Sequence, residues 1–204
     1  CDDSAMNRQL LLLALCQGFF LTNNVVFIAI NGLVGLQLAP LGWMATLPVT
    51  GYVVGSALSA GLVAKTQSHF GRKRSFQFGL VIAALSAALC AYAAVTKNFW
   101  LLVAATVIAG YYNANAALYR FAGPELVAPE FKERAISLVL AGGIIGAFAG
   151  PNLANATRSV LDVPFAAAYL SLVGVALLSL AVLSLIRFPE HKTPAPGAAS
   201  GRPL

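Results

Sequence analysis

The chain has 204 residues, of which 59% are hydrophobic and only 10% charged, with a mean hydropathy of +0.79 and a formal net charge of +6. A soluble domain of this size carries about 25% charged residues, so the composition excludes one and predicts an all-α, polytopic membrane protein. The cations sit in short turns between apolar runs, which argues for loop orientation and against a nucleic-acid-binding face.

A membrane-spanning helix needs about 20 apolar residues, and six runs qualify. The first two extend from about Gln9 to Leu36 and from Gly42 to Ala64. After the basic turn Ser68-His69-Phe70-Gly71-Arg72-Lys73-Arg74, the third runs from Ser75 to Val95 and the fourth from Phe99 to Phe121. A charged loop then leads to the fifth, from Ala135 to Ala154, and the sixth runs from Pro164 to Ile186. Residues 1–188 are thus expected to form one bundle. The Pro- and Gly-rich stretch 189–204 reads as a cytoplasmic linker leading to a further domain.

Charge counting orients the bundle. With the N-terminus inside, the inner face holds Arg8, Lys65, Arg72, Lys73, Arg74, Arg120, Lys132, Arg134, Arg187, Lys192 and Arg202, and the outer face holds Lys97 and Arg158. Eleven cations against two is a strong positive-inside asymmetry, and it predicts that both termini are cytoplasmic.

Cys1, Cys16 and Cys90 show no metal-ligand spacing, and the latter two read as small packing residues within apolar runs. A Cys1-Asp2 start resembles a processed lipoprotein but would put the N-terminus outside, against the charge distribution. A fragment boundary is expected instead. The first apolar run is too long for a cleavable signal, and no small-residue cleavage site follows it.

The turn from Ala64 to Lys73 resembles the loop between helices two and three of the major facilitator superfamily, commonly G-x-L-A-D-R-x-G-R-R. Phe70, Gly71, Arg72 and Lys73 match it, while Ala64, Ser68 and His69 replace the family's Gly, Asp and Arg. The resemblance implies a gating loop at Ser68, Gly71, Arg72 and Lys73, without the Asp that takes part in the family's charge relay. Gly71 would permit a positive-φ turn. In the fifth span, Gly142, Gly146, Gly150 and Pro151 resemble the family's G-x-x-x-G-P motif, found especially in proton-linked exporters. Glycines four residues apart make a flat face for close helix approach. The second span has a similar face at Gly51, Gly55 and Ser59, so spans two and five are expected to pack together. Arg187-Phe188-Pro189-Glu190 resembles the Pro-Glu ending where the family's first six-helix half meets its central loop. One family feature is missing: Thr106 precedes Gly110 where an Arg is usual.

Polar residues within the spans form stripes. Gln17, Asn24 and Asn31 recur every seven residues on the first span, and Tyr111, Tyr112, Asn115 and Tyr119 share an arc of roughly 100° on the fourth. In the superfamily, helices one and four line the central cavity, so the resemblance implies that these residues line a substrate site. The alternative is hydrogen-bonded glue between helices. No Asp or Glu lies mid-span, and Glu125, just past the fourth span, is expected to pair with Arg120 or with the Lys132 to Arg134 segment.

These features imply the N-terminal half of a secondary transporter. It would move a small organic solute across the cytoplasmic membrane by alternating access, with export as an antiporter favoured by the fifth-span motif. Its partners would be the lipid bilayer, the solute, and a C-terminal half or second copy. No enzyme activity, metal or cofactor is expected, because the chain offers no metal cluster, no Gly-x-Ser-x-Gly element and no embedded acid pair. The competing reading is a self-contained six-helix protein acting as a homodimer, either a channel or an assembly factor.

Overall fold

A computed structural model describes residues 2–127, 129–157 and 166–187 of the chain. Among these residues there is no strand, and 6 helical segments are long and apolar enough to cross a membrane. They are α1 (Asp2–Leu38), α2 (Leu47–Phe70), α3 (Arg72–Thr96), α4 (Phe99–Ala116), α5 (Lys132–Thr157) and α6 (Ala166–Ser184). The 189–204 linker expected from composition lies outside the described residues.

The joints follow from local chemistry. Pro48 occupies the first turn of α2, where its missing N–H costs nothing. Gly71 separates α2 from α3 at φ 84° and ψ 167°, a conformation open essentially to glycine alone, and its N–H bonds to the Gln67 carbonyl at 3.0 Å. Lys97 closes α3 at φ 56°, and the Asn98 side chain caps α4 by accepting from the Leu101 N–H at 3.2 Å. The fourth span, expected to continue to Phe121, breaks at Ala116. It resumes as a single turn, Tyr119–Ala122, and a 3-10 turn, Gly123–Leu126.

The helices pair in a definite pattern: α1 on α5, α2 on α4 and α3 on α6, with α3 also against α4 and α1 against α6. Exchanging α1 with α4, α2 with α5 and α3 with α6 leaves this pattern unchanged. The bundle is therefore two three-helix repeats, and an odd number of spans per repeat inverts the second relative to the first. Its glycines obey the same exchange. Gly146 of α5 meets the Gly18 backbone of α1, and Gly55 of α2 meets the Val107 and Gly110 backbone of α4. A Cβ at any of Gly55, Gly110, Gly142 or Gly146 would collide with facing backbone atoms, which explains why no larger residue stands there.

This pairing corrects one expectation. The glycine faces of α2 and α5 do not pack on each other; each is spent on a different helix, α4 and α1 respectively. Side-chain periodicity marks a flat face but carries no information about which helix lies on it.

Apolar side chains fill two clusters. One, around Phe27, Tyr52, Leu102, Tyr169 and Leu172, occupies the half of the bundle nearer the α3–α4 turn. The other, around Leu13, Phe20, Phe76, Tyr112 and Tyr119, occupies the half nearer the α2–α3 turn.

Candidate functional site

The mid-span polar residues divide by what their side chains touch. Asn31 is fully buried and committed: its Nδ2 donates to the Phe27 carbonyl at 2.8 Å, and its Oδ1 accepts from the Tyr169 hydroxyl of α6 at 2.7 Å. Tyr112 and Tyr119 are buried in the core, their rings packed edge-on to Phe20, with Tyr119 also against Phe76 at 4.7 Å.

Gln17, Asn24 and Tyr111 differ. The Oε1 of Gln17, the Oδ1 of Asn24 and the hydroxyl of Tyr111 are enclosed but have no hydrogen-bond partner among the described residues. The Gln17 side chain lies in the space left by Gly143 of α5, and the Tyr111 ring packs edge-on to Phe78 of α3. A buried polar atom left unpaired costs about 1–3 kcal/mol. The Tyr52 hydroxyl of α2, which the polar stripes did not include, is in the same condition.

Asn115 belongs to a different group of residues, near the α2–α3 turn. Its Nδ2 donates to the Ser75 carbonyl at 2.6 Å, and its Oδ1 accepts from Gln67 Nε2 at 2.9 Å and from the Ser75 hydroxyl at 3.3 Å. Room for this amide comes from Gly79 of α3, where a Cβ would meet Asn115 Nδ2 at 2.6 Å. Gln67 in turn accepts from Arg72 Nη1 at 2.9 Å, and Arg72 Nε donates to Glu125 Oε2 at 2.7 Å. A continuous polar chain thus runs from Glu125 through Arg72 and Gln67 to Asn115 and Ser75. It ties α2, α3, α4 and the segment after α4 together at one end of the bundle.

Two details depart from the sequence reading. Glu125 pairs with Arg72, because the turn after α4 brings it to the α2–α3 joint; Arg120 instead lies over the Phe121 ring at 4.8 Å. Ser68, which stands at the family's Asp position, is exposed and bonds only its own helix at the Lys65 carbonyl, so the α2 residue in the chain is its neighbour Gln67. A polar side chain one turn ahead of a helix-ending glycine was the available signal for Gln67. Beside it, Lys73 Nζ caps α6 at the Ser184 carbonyl, 3.0 Å away, and Gln77 reaches the Ser184 hydroxyl at 3.1 Å.

The fifth-span residues are structural in their contacts. Gly142 lies against the Ala14 carbonyl, Gly146 against Gly18, and Gly150 against Val25. The Thr22 hydroxyl spans the same crossing, 2.9 Å from both the Gly18 and the Gly146 carbonyls. Pro151 lies inside α5 and is exposed. Among the described residues no group of three His, Cys, Asp or Glu could hold a metal ion.

The amide and hydroxyl groups can hydrogen-bond an uncharged polar solute, and the polar chain can hold one end of the bundle together. A family model described as Major Facilitator Superfamily matches residues 10–204. The chain is 32% identical to the riboflavin transporter RfnT of Brucella anthropi over 205 aligned residues, which cover 100% of this chain and 52% of that protein. It is 28% identical to an MFS-type transporter, YdeG, of Bacillus subtilis, over 74% of this chain and 35% of that one. In fold it is similar to the crystal structure of the human organic anion transporter MFSD10, with a TM-score of 0.66 and 16% identity over 89% of this chain and 47% of that chain. The chain therefore spans about half the length of RfnT and of MFSD10.

Proposed function

The chain belongs to the major facilitator superfamily, and from that premise we propose that it is the N-terminal half of a secondary transporter that carries a small, uncharged organic solute by alternating access. A second six-helix half, reached through residues 189–204, would complete the solute pathway, and the two halves would rock about a site near the bilayer midplane. The coverage of RfnT, 52%, supports a missing half of similar size. The excess of cations on one face, eleven against two, supports cytoplasmic termini in the cytoplasmic membrane.

The observation that carries the reading is the pair of enclosed, unpartnered atoms at Gln17 Oε1 and Asn24 Oδ1. These are neutral amide acceptors, with no carboxylate or ammonium beside them mid-span, and they suit a solute with polar edges and an apolar body. A flavin has that chemistry, and the name of RfnT makes riboflavin the first solute to test. The Gly146 to Pro151 motif favours outward movement of the solute in exchange for protons that enter down their gradient. The proton carrier then belongs to the second half, because this half has no mid-span carboxylate.

The full-length transporter in proteoliposomes provides the test. Imposing a pH gradient should drive riboflavin flux, and Asn24→Ala and Gln17→Ala should each raise the apparent KM roughly three- to tenfold with expression unchanged, as expected for one neutral hydrogen bond. Unaltered KM in both variants of an active transporter removes these residues from the site. A protein that assembles as a homodimer of this chain and passes solute without a gradient would support the channel reading instead.

A further inference from the structure

On the side of α1 roughly opposite Gln17 and Asn24, α1 and α5 enclose an apolar groove of about 510 Å³. Its floor is the crossing where Gly18 and Gly146 bring the two backbones together. Its walls are Leu11, Leu15 and Phe19 of α1 and Leu138 and Ile145 of α5. At about 100° per residue, Arg8 continues the first wall one turn beyond Leu11, and Arg134 continues the second one turn beyond Leu138. The register of Ala14 on Gly142 and Gly18 on Gly146 sets the two arginines at nearly the same level, at one mouth of the groove. Both are exposed, and among the described residues neither takes part in an ion pair. Glu130 and Glu133, the acids nearest Arg134 in sequence, are exposed and do not bridge it.

We propose that this groove holds an acyl chain of an anionic phospholipid from the cytoplasmic leaflet, with the phosphate between Arg8 and Arg134. The occupant follows from complementarity: the trough is apolar along its length, and its mouth carries two guanidiniums that no acid bridges among the described residues. Guanidinium is the side chain best suited to phosphate oxygens. With the Gln17 stripe turned toward a second half, as the transporter reading has it, this face is left to lipid.

The inverted repeat supplies an internal comparison. The exchange that sets Gly110 on Gly18 and Gly55 on Gly146 sets Trp100 on Arg8 and Trp43 on Arg134. These are the only 2 tryptophans in the chain, and both are exposed, at the other end of the bundle. Tryptophan anchors at either membrane interface without regard to headgroup charge, so the repeat that faces the anionic leaflet is the one carrying cations.

The test uses the full-length transporter, titrated with phosphatidylglycerol and with phosphatidylcholine and read by native mass spectrometry. The wild type should retain phosphatidylglycerol preferentially, and the double variant Arg8→Gln/Arg134→Gln should lose roughly tenfold of that preference. Ala141→Phe, which fills the groove, should release both lipids. An unchanged preference in the double variant overturns the proposal. Competition by glycerol phosphate as strong as by the lipid also overturns it, since that would mark a free-anion site. So does failure of a lipid-soluble maleimide to reach Ile145→Cys in the assembled transporter, because protein would then cover the groove. If a variant does not fold, the wild-type preference must still fall several-fold from low to high ionic strength, and a flat profile sinks the idea. None of these readouts depends on which solute is carried, so they stand apart from the flux experiment.

Discussion

Arg72 Nε lies 2.7 Å from Glu125 Oε2, and this bond joins the α2–α3 turn to the segment that follows α4. Side chains 22% and 31% exposed are partly screened, so the pair itself adds no more than about 1 kcal/mol to stability. Its importance lies in position, because Arg72 also holds Gln67, and through it Asn115.

Breaking that bond should therefore loosen one end of the bundle more than it destabilises the fold. Glu125→Gln is expected to shift the melting temperature by no more than a few degrees. Asn113 of α4 is part-buried and donates from Nδ2 to Ser56 Oγ of α2 at 3.0 Å, and labelling of Asn113→Cys by an impermeant maleimide in inside-out vesicles should also speed up several-fold. The exchange Arg72→Glu/Glu125→Arg should return the rate toward the wild type. Equal labelling rates with and without the Glu125 charge would deny the chain a latching role.

Asn31 and Tyr169 bond each other in a fully buried setting, so removing one orphans the other. Asn31→Ala should cost about 1–3 kcal/mol, and adding Tyr169→Phe should cost much less than the two single changes combined. Thermal inactivation of the purified transporter measures both. Strict additivity would mean that the bond contributes nothing. Asn24→Ala, whose Oδ1 has no protein partner, should be less destabilising than Asn31→Ala in the same assay.

Gly146→Leu should force α1 and α5 apart, and Gly55→Leu should do the same to α2 and α4. Overpacking of this kind costs about 1–3 kcal/mol or more, because backbone rather than a movable side chain stands in the way. Leu140→Ala, at an exposed site, serves as the control. Monodispersity on size-exclusion chromatography reports the outcome, and normal behaviour of both leucine variants would contradict the close crossings.

Orientation is open to labelling. Cysteines at Asn98 and Asp162 should react with an impermeant reagent from outside intact cells, while a cysteine at Lys132 should react only after permeabilisation. The reverse pattern would invert the bundle and move the Arg8 and Arg134 mouth to the other leaflet.

The spans were legible in the sequence because long apolar runs and the bilayer's thickness allow few alternatives. Gly71 was legible too, since a positive φ between two helices leaves little choice of residue. The partners were not. Gly55 and Gly146 advertised flat faces, yet the helix each meets depends on how six helices arrange themselves in space. Glu125 stands within seven residues of Lys132 but bonds Arg72, 53 residues away, because the chain breaks at Ala116 and turns back toward α3. Gln67 was not legible, because the motif's polar position falls on its neighbour Ser68, which the structure leaves exposed.

Pro151 divides α5 into two mechanically unequal parts. Toward Lys132, the Gly142 and Gly146 crossings and the Thr22 hydroxyl fasten the helix to α1. At Pro151 the ring nitrogen cannot donate to the Ala147 carbonyl, so one rung of the ladder is absent between those crossings and the Leu153 and Ala154 side chains, which pack in the apolar cluster that includes Val26, Phe27 and Ile30. Bending is cheapest there. The bend point therefore lies between two anchored stretches of α5, the glycine crossings on one side and the Leu153 and Ala154 packing on the other, so a change of angle at Pro151 must repack that apolar cluster.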